Sequence, residues 1–370
     1  MQTVILDARG NIPTPLTAYE LKWREKVTTG ATQQAFDMLQ ERRALPLWDK
    51  IELSLQRIRE WYEAFEGRVA VSFSGGKDSK VLLWLVRSLY PDVPAVFCNT
   101  GLEYPEIVRF VRSHPNVVTL RPRKPFHHII RDHGWPLVSK KVARGLKVLR
   151  NPTGANANIW RLYDQGINRR GEKVQGFKVP AQWRFLTEAP FEISDQCCSI
   201  MKKEPMARYE RETGRAQFVG MLASDSKARE KTYLQTGCNA YDNKHPRSMP
   251  LGFWTEQDVL QCLRENNIPY SSIYGRIVER NGELTCTGVH RTGCVFCGFG
   301  VHLDEGPQNR FQLLAKSHPR LWTYCMERLG LRRVLEYCRD HAPSERLSRK
   351  FKYEPEAVEQ VLTLPGMEAV

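Results

Sequence analysis

The sequence predicts an α/β protein built on a doubly wound parallel sheet, with a helical N-terminal extension and a C-terminal region of helices and paired cysteines. Three observations predict it. Between residues 68 and 120, apolar runs of strand length alternate with amphipathic runs of helix length. Strand, helix, strand, helix, strand at that close spacing calls for parallel strands joined by crossover helices. A glycine-rich turn, Ser74-Gly75-Gly76-Lys77-Asp78-Ser79, stands where the first strand hands over to the first crossover helix.

Taken in order, residues 1–66 read as a short extended start followed by helices over 33–45 and 47–65, ended by Gly67. Residues 68–73 (RVAVSF) read as a buried strand, 79–90 as a helix, 93–98 as a strand, 104–113 as a helix and 116–120 as a third strand. The stretch 150–180, rich in Gly, Asn and charge, reads as an irregular excursion or a hairpin. A helix over 201–212, a strand over 216–222 and a helix over 256–266, capped by Thr255, follow. Turns and short strands dominate 267–299, and 319–329 and 331–340 read as helices. This divides the chain into an N-terminal extension (1–66), a nucleotide-type domain (67–255) and a C-terminal region (256–370).

Composition narrows the function classes. Hydrophobic residues make up 41% of the 370, enough for a packed core. No apolar run reaches the roughly eighteen residues of a membrane span, and residues 1–10 lack the pattern of a secretory leader, so a cytoplasmic protein without a membrane partner is expected. A formal charge of +14 favours polyanionic partners, nucleotides or nucleic acid, although a generally basic solvated surface would give the same figure.

A strand that ends in Ser-Gly-Gly-Lys-Asp-Ser and opens a helix suits phosphate. Glycines admit positive φ and close backbone approach, and the helix N-terminus favours negative charge. Ser74, Ser79 and Lys77 add hydroxyl and ammonium donors. The spacing is neither Gly-x-x-x-x-Gly-Lys-Ser/Thr nor Gly-x-Gly-x-x-Gly. In open parallel sheets ligands bind beyond the strands' carboxyl ends, which is also where Asn99-Thr100-Gly101 falls. Four of the ten cysteines are paired, as Cys197-Cys198 and Cys294-x-x-Cys297. Two close thiolate pairs suit zinc or an iron–sulfur cluster, and adjacent cysteines, which diverge, fit a wide cluster better than one tetrahedral ion. Four unliganded thiols are the plain alternative.

These residues carry a family resemblance over roughly residues 67–300. SGGKDS resembles the PP-loop of the adenine-nucleotide alpha-hydrolase superfamily, whose sheet is Rossmann-like. Asn99-Thr100-Gly101-Leu102-Glu103-Tyr104-Pro105-Glu106 resembles the Asp-Thr-Gly-x-x-Phe-Pro-Glu segment of sulfonucleotide (PAPS/APS) reductases. Residues 220–229 (GMLASDSKAR) resemble their Gly-x-x-x-x-x-Ser-x-x-Arg stretch. Pro250-Leu251-x-x-Trp254-Thr255-x-x-Asp258-Val259 and Ile268-Pro269-Tyr270 resemble two further elements. The cysteine pairs are similar to the cluster ligands of APS reductases and of DNA phosphorothioation enzymes.

The resemblance implies ATP, with magnesium, or adenylyl sulfate as the bound nucleotide. Ser74, Gly75, Gly76, Lys77, Asp78 and Ser79 would hold phosphate, and Thr100, Gly101 and Glu103 would meet the nucleotide edge. Lys77, Asp78 and Arg229 are the candidate catalytic residues, Arg229 as a phosphate or sulfate clamp. Cys197, Cys198, Cys294 and Cys297 would ligate a 4Fe–4S cluster, with zinc as the alternative. Lys202 and Lys203, about one helical turn after the first pair, would offset its charge or equally be solvated. By sequence alone, Lys140 and Lys141, after Trp135-Pro136, would either line an acceptor channel or form a solvated basic face. Cys286 is a candidate sulfur carrier or, more plainly, a buried strand residue.

Two departures bear on the chemistry. The reductases attack sulfate with a cysteine in a C-terminal Glu-Cys-Gly-x-His stretch, which is missing here; Cys325 and Cys338 stand at helical positions suited to packing. Asn99 replaces an Asp. The expected function is therefore ATP-dependent adenylylation or sulfuration of an acceptor, a nucleic acid by charge, with a cysteine desulfurase or similar sulfur donor as partner. Adenylyl sulfate reduction to sulfite, and a nucleotide- or nucleic-acid-binding component without turnover, are the alternatives.

Overall fold

A computed structural model describes residues 33–241, 245–304, 306 and 308–354. The extended start expected before residue 33 lies outside the described residues. The chain divides into two compact units, one from residues 1–125 and 198–294, the other from 126–197 and 295–370. Neither the expected boundary after residue 66 nor that after 255 coincides with this division.

The first unit opens with helices α1 (Gln33–Arg43) and α2 (Leu47–Ala64). In α2, Leu47, Ile51, Leu55 and Ile58 recur at helical spacing and are buried, as is Trp61. Gly67, at φ +73°, turns the chain into β1 (Val69–Ser72). Then come α3 (Lys77–Leu89), β2 (Ala95–Cys98), α4 (Pro105–Arg112) and β3 (Val117–Leu120). After the chain returns, a π-helical stretch, Ser199–Lys203, leads into α5 (Glu204–Thr213). It is followed by β4 (Ala216–Val219), α6 (Lys227–Thr236), β5 (Asn239–Ala240), β6 (Arg247–Ser248) and α7 (Glu256–Glu265). A hairpin of β7 (Ile277–Arg280) and β8 (Glu283–Cys286) completes the unit.

The six-stranded sheet runs β3-β2-β1-β4-β6-β5, parallel throughout except at the β5–β6 edge. Ala70 and Val96 on one face pack with Tyr209 and Met206 of α5 and with Leu120. Side chains alternate along a strand, so Val69 and Val71 face the opposite way. α3 packs on β1 and β4, and α2 and α7 pack on α3. The sheet is wound on both sides, as the sequence predicts.

α2 is built into this unit. Lys50 pairs with Asp258 of α7 at 2.7 Å in a buried ion pair. Ser54 donates to the Pro250 carbonyl and accepts from the Trp254 indole, both at 2.9 Å. Thr255 and Asp258 form a reciprocal capping box at the start of α7.

In the second unit, helices span Phe126–His133, Lys140–Arg150, Ala157–Gln165, Arg310–Ser317, Pro319–Thr323, Leu331–Asp340 and Glu345–Ser348. Leu137–Val138 pairs in parallel with Gly298–Phe299. Trp183 packs edge-on against His302 and Phe351. The stretch 150–180 is more regular than expected: a Thr153–Asn156 capping box precedes helix Ala157–Gln165, which Gly166 ends at φ +76°. The expected hairpin follows, closed by an Ile167–Lys173 bridge. Tyr163 is the one buried side chain of this helix.

Candidate functional site

The loop between β1 and α3 is positioned by contacts that only glycine allows. Gly75 lies at φ +75°, and a Cβ there would stand 2.8 Å from Ile107 and Val111 of α4. Gly220, just after β4, brings the backbone so close that its Cβ would lie 3.0 Å from the Ser79 backbone. The loop is thus pressed between α4 and the end of β4. Gly76 is the N-cap of α3, and no side chain caps that helix.

Within the loop Ser74 accepts from the Gly76 amide at 3.3 Å and meets the Ser79 hydroxyl at 3.1 Å. Ser79 donates to the Gly76 carbonyl at 2.9 Å. These bonds fix the turn, while Ser74 itself stays exposed.

Lys77 is not free over the loop. Its side chain is buried, and its ammonium donates to Glu256 at 2.6 Å, lies 3.9 Å from the Cys286 sulfur and faces the Tyr274 ring. The Lys77 amide donates to the Tyr274 hydroxyl, which also meets Thr292 at 2.6 Å. Cys286 is buried at the end of β8, and burial raises its thiol's pKa.

Asp78 is pushed up to about 6, first by burial and then by the Asp225 carboxylate. Asp225 in turn accepts from Arg229 and, at 3.2 Å, from Arg291. Arg229 is therefore tied to a carboxylate one helical turn away. Glu256, Asp225, Tyr274 and Arg291 were missed in the sequence because they come from segments far from the loop. Only Asp225, inside the 220–229 stretch, carried a signal.

At the carboxyl end of β2, Glu103 gathers the expected nucleotide-edge residues. It accepts from the Thr100 amide at 3.0 Å and from the Thr100 hydroxyl at 2.7 Å, and Asn99 accepts from the Gly101 amide at 3.0 Å. Asn99 is thus a turn-former; an Asp could accept the same bond. A cavity of about 130 Å³ opens beside these residues, lined by Ser72, Ser74, Val96, Cys98, Glu103 and Lys202 among others. Ser74 and Glu103 both border it, so the loop and the β2 segment share one cavity.

Cys198 and Cys294 belong to the first unit, Cys197 and Cys297 to the second. Burial alone would lower the Lys202 ammonium, but Cys294 and Glu103 hold it above its ordinary value. The thiol donor set has the chemistry of an iron–sulfur or zinc site. Among the described residues, however, no three His, Cys, Asp or Glu side chains are arranged to hold a metal ion. Cys325 and Cys338 are fully buried, and burial raises both thiols, Cys338 to about 12.

A sequence profile of the phosphoadenosine phosphosulfate reductase domain matches residues 68–124 and 155–289, more than half of the chain. The chain belongs to this family. An uncharacterized protein of Methanocaldococcus jannaschii is 26% identical over 270 residues, covering 72% of this chain but 42% of that protein. The chain thus spans less than half the length of that relative. Adenosine 5'-phosphosulfate reductase of Staphylococcus epidermidis is 22% identical over 236 residues, covering 62% of this chain and 75% of the reductase. A solved structure of a U34-tRNA thiolase from Methanococcus maripaludis with its 4Fe–4S cluster overlaps 77% of this chain and 79% of its own. At 15% identity and a TM-score of 0.32 that overlap supports no conclusion. No helix among the described residues is long and apolar enough to cross a membrane.

Proposed function

We propose that the first unit binds ATP and that the chain is a cytoplasmic enzyme that adenylylates an acceptor oxygen and replaces it with sulfur, the acceptor being a nucleic acid. The observation that carries this reading is the loop itself: two glycines at the carboxyl end of β1 lead into a helix whose N-terminus no side chain caps. Its amides and the helix dipole favour an anion there.

ATP arrives as its magnesium complex. The acceptor oxygen attacks the α-phosphorus, the bond from the α-phosphorus to the bridging oxygen breaks, and pyrophosphate leaves into the loop formed by Ser74, Gly75, Gly76, Lys77, Asp78 and Ser79. Donors at that position act on charge that grows as the bond breaks. The outer sulfur of a persulfide on a donor such as a cysteine desulfurase then displaces AMP from the acceptor, and a thiol reductant cleaves the resulting S–S bond, releasing the donor thiol and leaving the sulfur on the acceptor. Thr100, Gly101 and Glu103 border the nucleotide's edge. Lys77 reaches the departing phosphate by leaving Glu256, and Arg229 serves as a clamp by leaving Asp225. Cys197, Cys198, Cys294 and Cys297 are the proposed ligands of a 4Fe–4S cluster, with zinc as the alternative.

Adenylyl sulfate reduction is the second reading, favoured by the reductase relatives. The full burial of Cys325 and Cys338 weighs against it, since neither thiol is exposed to attack sulfate. Incubation with labelled ATP, with and without RNA or DNA, separates the readings. Pyrophosphate and AMP release that depends on nucleic acid is expected; sulfite release from adenylyl sulfate with a thiol reductant would replace this reading with the reductase.

A further inference from the structure

The second unit carries a strongly basic surface that the nucleotide chemistry does not use. Residues 140–178 contain ten Lys and Arg against two Asp and Glu. Helix Lys140–Arg150 buries Ala143, Gly145 and Leu146, and leaves Lys140, Lys141 and Arg144 exposed, with Lys147 half-buried at the edge of the buried face. Arg144 is held by Asp195 at 2.6 Å, and Arg150 is occupied by Glu192 and the Phe191 and Ala189 carbonyls. No carboxylate pairs with Lys140, Lys141 or Lys147 among the described residues.

The hairpin after Gly166 extends this surface. Asn168 accepts the Arg170 and Glu172 amides at 2.9 and 3.0 Å, and Gly171 turns at φ +84°, a geometry that presents Arg169 and Arg170 to solvent. Lys173 is exposed on the returning strand. The chain then passes beside the helix: the Lys141 ammonium sits 5.0 Å from the Phe177 ring, and that ring is 39% exposed. Helix and hairpin therefore meet at Lys141 and Phe177, with Lys140 exposed on the helix and Arg169, Arg170 and Lys173 exposed on the hairpin.

We propose that this surface docks the phosphodiester backbone of a single-stranded nucleic acid, with one base stacked on Phe177. A cluster of exposed ammonium and guanidinium groups neutralises phosphates of a polyanion whatever its sequence, and an exposed aromatic beside them accepts any base. An anionic membrane would use the same charges but not a single ring seated under a lysine. The proposal deepens the functional reading by locating its acceptor, and it rests on that reading only for the acceptor's identity.

The test is binding of full-length protein to fluorescein-labelled single-stranded RNA and DNA, by anisotropy at several salt concentrations without nucleotide. Failure of ATP chemistry would leave this measurement untouched. The combined variant Lys140→Gln, Lys141→Gln, Arg169→Gln, Arg170→Gln should bind at least about tenfold more weakly. Its salt dependence should be shallower, the slope falling by about 0.7 for each phosphate no longer neutralised. Phe177→Ala should lose about tenfold with the salt slope unchanged. Lys316→Gln with Arg320→Gln, which removes two positive charges elsewhere in the same unit, should bind as the parent. Circular dichroism of each variant shows that the fold is kept. Tighter binding of RNA than DNA, or the reverse, identifies the source of the strand. No binding to either, equal loss in the control pair, or binding only to vesicles of anionic lipid would overturn the proposal.

Discussion

Gly75 combines two requirements that no other residue meets: a positive φ and no room for a Cβ beside Ile107 and Val111. Gly75→Ala should lower stability by about 1–3 kcal/mol through backbone strain, read as a reduced Tm. Asp78 carries the opposite signature to a salt-bridged carboxylate. Its folded value of about 6 lies above the ordinary 3.8, so the folded state holds the proton more tightly than the unfolded chain. Stability from this group is full below 3.8 and is lost as pH rises through 6, the ionised form costing about 1–3 kcal/mol. Denaturant titrations of the nucleotide-free protein from pH 4.5 to 7.5 test this. Asp78→Asn should gain stability relative to the parent as pH rises, and a constant difference across that range would refute the assignment. Glu256→Gln should weaken the hold on Lys77. If Lys77 must leave Glu256 to meet phosphate, ATP should bind this variant more tightly, read by calorimetry; weaker binding would count against that movement.

At the scale of elements, the segments after residue 250 that resemble reductase motifs act first as buttresses. Pro250, Trp254 and Asp258 receive Ser54 and Lys50 from α2 and so set α7 against α3. Because α7 begins with Glu256, the same contacts place the carboxylate that holds Lys77. Lys50→Ala would leave Asp258 without its cation in a buried setting, and a loss of about 3–5 kcal/mol is expected; Lys50→Ala combined with Asp258→Asn should recover part of it. The strands and crossover helices of the sheet were legible because buried strands and amphipathic helices have different periods. Helix Ala157–Gln165 was not, since it is short and set in a stretch rich in Gly, Asn and charge, with its start in a Thr capping box and its stop at a glycine.

For the molecule as a whole, the division into two units, each made of two separated segments, places Cys197 and Cys198 on either side of a boundary that no composition shift marks. Anaerobically purified protein is expected to show a broad iron–sulfur absorbance with about four irons per chain, removed by Cys294→Ser. Stoichiometric zinc without colour would make the site tetrahedral zinc instead, and neither metal would leave the four thiols unliganded.

By itself the sequence determined the winding of the sheet, the position of the glycine loop at the end of β1, and the family, because these depend on local period, turn chemistry and ordered motifs. The tertiary structure alone decided that α2 is part of the nucleotide-type unit, and that Lys77 and Arg229 face the carboxylates of Glu256 and Asp225. It also decided that Asp78 lies where burial and Asp225 disfavour its charge. Charge pairing and desolvation act through space, between residues as far apart as Lys77 and Glu256, and no local pattern in the chain records them.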